Sequence, residues 1–176
     1  MANYCHYDMY AVSPNKKPLE RLVKIMQYKD DEYYIYRCFK AQADSVEEED
    51  GMCTVRISGY VAWSTVSWFE GEEKPNRRIL LEYEKGDRTK PVYGTAHYIT
   101  LDKLCPKLNI GLEVYAEDPG CAFQNYYHCD HNGEIHTDSA EWFECWEDDD
   151  GNMLKEPEYE GGLDGYGEFQ DPSNIY

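Results

Sequence analysis

The residues best suited to chemistry surround one predicted turn, and they are His128, Cys129, Asp130, His131 and His136. Imidazole, thiolate and carboxylate groups are the ligands that zinc prefers in proteins. On a strand, however, His128 and Asp130 share a face while Cys129 points away, and His131 falls in the turn itself. A structural zinc site also needs a second ligand pair at short spacing, which the sequence lacks. We therefore expect a polar hairpin tip that holds no metal and no cofactor.

A second group of possible ligands is the run Asp148-Asp149-Asp150-Gly151-Asn152, which resembles the start of a calcium loop. Such a loop needs glycine at its sixth position and glutamate at its twelfth. Met153 occupies the sixth position here, and the twelfth position is not glutamate. The run is therefore predicted to be a solvated turn.

Catalytic motifs are absent from the chain, which contains no G-x-S-x-G, HExxH, P-loop or G-x-G-x-x-G pattern. Carboxylate pairs are expected by chance among 35 acidic residues. Because a function has to be argued from a site, we expect a protein that is not an enzyme. A metal-assisted hydrolase built on the histidine-rich turn is the enzymatic alternative, and it would require bound metal.

The sharpest functional signal is the acidic stretch between residues 141 and 171. It contains twelve acidic residues and one basic residue, Lys155, a net charge of −11 out of −18 for the 176-residue chain. Aromatic residues lie between the carboxylates and could anchor the stretch in a basic groove, although an inert solvated tail is the alternative. The predicted partner-binding residues are Glu147, Asp148, Asp149, Asp150, Glu156, Glu158, Tyr159, Glu160, Asp164 and Tyr166.

The net charge also restricts the class of partner. A field of this sign repels phosphates, so we expect no direct binding of nucleic acid or of an anionic membrane. The negative field favours a partner protein with a basic groove, and proteins with such grooves mostly handle nucleic acids. The alternative is that the charge only keeps the protein soluble. An aromatic sheet face formed by Tyr4, His6 and Tyr10 would suit stacked bases, but the acidity favours a protein contact there.

The cysteines and the apolar content indicate the compartment. The seven cysteines are odd in number, and none forms a CxxC pair. The first eight residues are polar and mixed, and no apolar stretch approaches the ~20 residues of a membrane span. We therefore expect a cytoplasmic protein in a reducing compartment.

Hydrophobic periodicity predicts the elements that position these residues. Alternation predicts strands at residues 4–12, 33–41, 53–63 and 110–117, and a hairpin at 123–129 and 134–143. Apolar residues at helical spacing predict a helix that carries Leu19, Leu22, Val23 and Met26. A short helix begins after Thr100 as its N-cap, carries Leu101, Leu104 and Cys105, and ends soon after Pro106.

This order predicts an α+β, ferredoxin-like βαββαβ fold, an antiparallel sheet with its helices on one face. A C-terminal hairpin and an acidic tail extend it. We assign residues 1–146 to a single domain with an insertion at 64–97 and an added hairpin at 123–145, and residues 147–176 to the tail. The hairpin would continue the sheet outward and protect its edge.

The chain also resembles a known family over roughly residues 1–133. The segments that carry the resemblance are Met1-Ala2-Asn3-Tyr4-Cys5, Ala62-Trp63-Ser64 and the residues from Leu108 to Phe123. They are similar to the YubB ferredoxin-like domain proteins of bacterial plasmids and phages. Tyr115, Glu117, Gly120 and Phe123 match that family's Y-x-E-x-G-x-x-F segment, with one extra residue before Gly120. The resemblance implies the fold and a mobile-element origin, and it brings no catalytic residues.

Charge, the aromatic-acidic stretch and the resemblance together predict an acidic inhibitor from a phage or mobile element. Its expected partner is a host nuclease or CRISPR-Cas effector, blocked by mimicry of nucleic acid. The alternative is a non-enzymatic regulatory or structural accessory protein of the element. The oligomeric state is left open, with a homodimer through the sheet face as part of that alternative.

Overall fold

A computed structural model describes residues 4–49, 51–62, 65–69, 77–83, 91–118, 123–148 and 150–176. The strands within these ranges are β1 (Tyr4–Ser13), β2 (Tyr33–Tyr34), β3 (Cys38–Ala43), β4 (Glu47–Glu49), β5 (Met52–Ala62), β6 (Arg77–Tyr83), β7 (Pro91–Tyr98), β8 (Gly111–Asp118), β9 (Phe123–Cys129), β10 (Ile135–Glu147) and β11 (Met153–Gly161). The helices are α1 (Lys16–Met26), α2 (Leu101–Leu108) and α3 (Pro172–Ile175), and a 3-10 turn covers Thr65–Trp68.

One large sheet organises the described residues. Its eight strands run in the order β11-β10-β9-β8-β1-β5-β3, and β4 pairs with β5 beside this path. Every described pair in this sheet is antiparallel. A second sheet has the order β2-β7-β6, in which β2 and β7 are parallel. β1 therefore lies in the interior of the large sheet, between β8 and β5.

Both faces of β1 are buried over its second half. Tyr7, Met9 and Ala11 point into the main core, while Tyr10 and Val12 are buried on the opposite face in a separate cluster. This follows from strand geometry, because successive side chains point to opposite faces. A strand with two covered faces needs a covering layer on each side.

The helices α1 and α2 supply the layer on the main-core face. Residues at helical spacing on both helices are buried in that core, and they are Leu19, Leu22, Ile25 and Met26 on α1 and Leu101, Leu104, Cys105 and Leu108 on α2. Trp68, from the 3-10 turn, completes the core and donates a hydrogen bond from Nε1 to the carbonyl oxygen of Tyr36 at 2.9 Å. None of the helices in the described ranges is long and apolar enough to cross a bilayer.

The predicted ferredoxin-like βαββαβ fold is wrong. The described part of the chain is mostly sheet, with eight strands in one sheet and three in another, and its helices are short. The helices also do not share a face, because Ile175 of α3 packs against Tyr10 and Val12 on the side opposite α1. The prediction failed because residues beyond 146 show no apolar periodicity in the sequence. In the structure, these residues add a strand and cover the sheet face that the predicted fold left open.

The predicted strand at residues 33–41 is also interrupted. Tyr33 and Tyr34 join the second sheet, while the chain from Cys38 joins the large one. Arg37, between them, adopts a left-handed backbone with φ 57°. This left-handed residue interrupts the extended backbone between the two strands.

Some sequence predictions fall wholly or partly outside the described residues. They include the start Met1-Ala2-Asn3, the pair Trp63-Ser64, Gly120 and Asp149. Of the predicted insertion at 64–97, residues 65–69, 77–83 and 91–97 are described, and β6 and β7 pair with each other within it.

Candidate partner-binding ribbon

The two halves of β10 have different partners. Residues 135–141 pair with β9, whereas residues 142–147 pair with β11. Within the described ranges, the second half of β10 and β11 thus form a two-stranded extension of the sheet. We call residues 142–161 the acidic ribbon.

The ribbon carries its carboxylates on both faces. Glu160 lies opposite Phe143 and Glu158 lies opposite Cys145, so these four side chains share one face. Glu144 lies between Phe143 and Cys145 in the strand and points to the other face. The exposed acidic side chains of the ribbon are Glu144, Glu147, Asp150, Glu156, Glu158 and Glu160.

Asp148 holds the ribbon's turn together. Its Oδ1 accepts hydrogen bonds from the backbone N–H groups of Asp150 at 3.0 Å and of Asn152 at 2.8 Å. The side-chain amide of Asn152 also donates to Asp148, at 3.0 Å to Oδ2. These bonds, led by that of the Asn152 side chain, hold the pKa of Asp148 below its ordinary value. Asp148 is therefore a turn-forming residue as well as a charged one.

Large apolar side chains stand exposed among the ribbon's carboxylates. Phe143 and Trp146 each leave nearly half of their surface exposed, and Met153 leaves 71%. These residues were not among the predicted partner-binding set. The signal that could have identified Phe143 and Trp146 was their position in the sequence, next to acidic residues and outside any apolar run.

The chain after the ribbon returns across the sheet, and we call residues 162–176 the strap. The backbone N–H of Leu163 donates to Gln124 Oε1 at 3.0 Å, and the hydroxyl of Tyr115 donates to the carbonyl oxygen of Glu168 at 3.0 Å. Gly162 is close-packed, since a Cβ there would lie 2.7 Å from Gln124 Oε1. The strap therefore anchors the base of the ribbon to β8 and β9.

The strap also covers apolar surface. Phe169 packs against Tyr10 with ring centroids 5.4 Å apart and against Tyr115 at the same distance. The guanidinium of Arg56 lies 5.5 Å from the ring centres of both Tyr10 and Phe169. Cation–π contacts of this kind add to the apolar packing. The middle of this sheet face is consequently closed by the chain itself.

The histidine-rich turn binds the C-terminal end of the strap. His128 Nε2 donates to the carbonyl oxygen of Ile175 at 3.0 Å, and His131 Nδ1 donates to that of Tyr176. The rings of His131 and Tyr176 are stacked with centroids 4.4 Å apart. Among the described residues, no three histidine, cysteine or acidic side chains converge on a point that suits a metal.

Asp130 builds the turn that carries these histidines. Its Oδ1 accepts from the backbone N–H groups of Asn132 at 2.9 Å and Glu134 at 2.8 Å. Burial alone would raise its pKa, but these hydrogen bonds outweigh burial, and the pKa of Asp130 lies below its ordinary value. The predicted polar hairpin tip is thus a hydrogen-bonded turn.

The structure brings most of the predicted partner-binding residues together. Six of the ten have described side chains in the ribbon, whereas Asp149 and the side chain of Tyr159 lie outside what the structure describes. Asp164 is exposed in the strap. Tyr166 is half-buried with its ring 5.2 Å from that of Tyr115, so it faces the protein's own sheet.

The predicted aromatic sheet face is divided by the strap. Tyr10 is buried beneath the strap, whereas Tyr4 is exposed at the far end and lies edge-on to Phe39. Tyr4, Phe39, Lys40 and Tyr60 line a shallow cleft there of about 390 Å³. This remaining aromatic surface lies at the opposite side of the sheet from the ribbon.

Comparisons with protein-family models, with curated proteins and with solved structures found no match. The resemblance to the YubB ferredoxin-like domain proteins stays a prediction from the quoted residues.

Proposed function

We propose that this protein is a phage or mobile-element inhibitor that acts in the bacterial cytoplasm. It binds a basic, nucleic-acid-handling host protein, such as a CRISPR-Cas effector or another defence nuclease, and competes for its nucleic-acid site. The observation that carries the proposal is the acidic ribbon, an exposed two-stranded element with carboxylates on both faces.

The ribbon's charge is not neutralised within the described part of the protein. The ion pairs described there are His6–Asp8, Lys16–Glu20, Arg21–Asp30 and Arg21–Glu32, and none involves the ribbon. Uncompensated carboxylates on an exposed element produce a negative potential that steers a basic partner toward it. The ribbon is thus the part of the described surface best suited to a positively charged groove.

The spacing of the carboxylates also suits mimicry of a phosphate backbone. Glu158 and Glu160 are alternate residues in the paired part of β11, and alternate residues of a strand are roughly 6.8 Å apart. Glu158 and Glu160 lie on one face of the ribbon, as their pairing with Cys145 and Phe143 requires. Negative charges at such intervals are what a channel that binds a nucleic-acid strand recognises.

The strap supports this function over the accessory alternative. A homodimer through the sheet face would need that face to be open, and the strap fills its middle with Phe169, Ile175 and their partners. The cleft beside Tyr4 and Phe39 is the part of that face on which such a dimer would have to form. A stable homo-oligomer without a salt-sensitive partner would favour the accessory alternative.

The test is a tagged pull-down from bacterial lysate with a matched pair of charge variants. One variant replaces Glu147, Glu156, Glu158 and Glu160 with glutamine. The control makes four neutral substitutions away from the ribbon, Asp31→Asn, Asp44→Asn, Glu47→Gln and Glu48→Gln, at exposed positions. Asp148 is left unchanged because it holds the turn.

We expect a basic nucleic-acid-binding protein to be retained by the wild type and by the control, and lost by the ribbon variant. Its binding should weaken steeply with added salt, and competing nucleic acid should displace it. Retention of the same partner by the ribbon variant at physiological salt would overturn charge mimicry by the ribbon.

A further inference from the structure

The ribbon combines its carboxylates with apolar side chains that the fold leaves uncovered. Phe143 lies on the face that also carries Glu158 and Glu160, while Trp146 lies at the register shift between Cys145 and Glu147. Their exposure is nearly equal, and Met153 is the most exposed of the large apolar side chains in the described ranges. Apolar groups thus accompany negative charge on a single small element.

Charge alone does not explain these side chains. A solubilising or purely electrostatic ribbon would carry polar residues at such positions, because exposed aromatics favour association. Aromatic residues that pack in the core of this protein are buried, as Trp68 and Phe69 are almost completely. Phe143 and Trp146 contribute little to that core, so a packing role does not account for them.

We propose that Phe143 and Trp146 are anchors, and that the ribbon recognises a partner surface on which cationic and apolar groups alternate. This rests on the proposed function and names the class of partner more closely. Positive charge matches the ribbon's carboxylates, and apolar groups match the exposed aromatics. Aromatic anchors of this kind account for most of the binding energy in many interfaces, whereas exposed charges mainly raise the association rate.

The ribbon therefore distinguishes its partner from other basic proteins. A purely cationic surface satisfies the carboxylates but leaves both aromatic rings in water. A surface that alternates arginine or lysine with apolar side chains satisfies both kinds of group. The apolar part of the affinity should also persist at high salt, because salt screens charge–charge attraction and does not weaken apolar contact.

Two peptides of equal length and equal arginine content test this inference with the full chain. One alternates arginine with valine and the other alternates arginine with threonine, so that shape and charge match and only the apolar character differs. We expect the valine peptide to bind the wild type about tenfold more tightly or better, by titration calorimetry or fluorescence anisotropy. This preference should remain when the salt concentration is raised.

The variant Phe143→Ala with Trp146→Ala should remove the preference while leaving the affinity for the threonine peptide unchanged. The unchanged affinity also shows that the ribbon is still folded and charged. Phe39→Ala is the matched control, because Phe39 is an exposed phenylalanine near the opposite edge of the sheet. It should retain the full preference.

Two results would overturn the inference, and they separate it from the proposed function. If the wild type binds both peptides equally, or if the double variant keeps the preference, Phe143 and Trp146 are not anchors, but the recognition of charge by the ribbon is unaffected. If the wild type binds neither peptide at low salt, both the proposed charge-based function and the anchor role of Phe143 and Trp146 are refuted.

Discussion

The carboxylate of Glu113 accepts two hydrogen bonds from Gln170, which lies 57 residues further along the chain. The backbone N–H of Gln170 donates to Oε2 at 2.9 Å, and its side-chain amide donates to Oε1 at 2.8 Å. The hydroxyl of Tyr126 donates to the same Oε1 at 2.5 Å. Glu113 is completely buried, so this group of bonds lies beneath the strap and joins it to the large sheet.

Replacing Glu113 with alanine should destabilise the protein and release the strap. The substitution removes the buried acceptor of three donors, although the Gln170 side-chain amide keeps the hydroxyl of Tyr126 as a partner at 3.1 Å, and we expect a cost of about 3 kcal/mol in the free energy of unfolding. Denaturant titration measures this loss, and limited proteolysis should cleave the strap first. Glu141→Gln, at an exposed strand position, is the control and should change stability little. A strap that stays protected in Glu113→Ala would contradict the anchoring role.

The two roles of Asp148 can be separated by two substitutions. Asp148→Asn removes the charge but keeps an oxygen that can accept from the N–H groups of Asp150 and Asn152. Asp148→Ala removes both the charge and the acceptor oxygen. We expect the amide protons of Asp150 and Asn152 to exchange faster with solvent in the alanine variant and to be nearly unchanged in the asparagine variant. Equal exchange in the two variants would show that the carboxylate does not hold the turn.

Acid should weaken the contact between α1 and the loop that follows it. Asp30 accepts from Arg21 Nε at 3.0 Å and from the backbone N–H groups of Glu32 and Tyr33, both at 2.9 Å. Burial alone would raise the pKa of Asp30, but these bonds outweigh it and the pKa is lowered. A lowered pKa stabilises the fold above the unfolded value of about 3.9, and this contribution is lost as the pH falls through the folded value.

Asp30→Asn should therefore lower the melting temperature at neutral pH and reduce its dependence on pH in the acid range. Thermal unfolding followed by circular dichroism between neutral pH and strong acid measures both effects. Asp31→Asn, at the exposed neighbouring position, should leave both unchanged. The role of Asp30 would be refuted if the two variants had the same acid profile as the wild type.

The 3-10 turn gives a paired test of packing. Trp68 is fully buried, contacts Tyr7 edge-on with centroids 4.7 Å apart and donates to the carbonyl oxygen of Tyr36. Trp68→Ala should cost about 3–5 kcal/mol in the free energy of unfolding. Val66→Ala, two residues away and largely exposed, should cost well under half as much. Similar losses would show that the turn does not contribute to the core through Trp68.

Local pattern was sufficient to predict several elements. The alternation of Cys5, Tyr7, Met9 and Ala11 is visible in the sequence, and these residues do share the main-core face of β1. The apolar spacing in α1 and the pair of strands around Gly133, which has φ 87°, were predicted for the same reason. Strand and helix periods are properties of neighbouring residues, so they can be read without knowledge of the rest of the chain. The concentration of charge in the ribbon is likewise a property of composition.

The tertiary structure decided which of these elements meet and what lies on each face. The alternation of β8 marks Glu113 as a polar position in the sequence. Its burial and its role as an anchor depend on Gln170 and Tyr126, which donate hydrogen bonds to its carboxylate. The segment that forms β11 shows no apolar periodicity, and it is a strand because β10 offers it backbone hydrogen bonds. Pairings of this kind join residues that are distant in sequence and depend on backbone groups that every residue carries. Side-chain pattern alone therefore could not place the strap or reveal which carboxylates would be buried and which exposed.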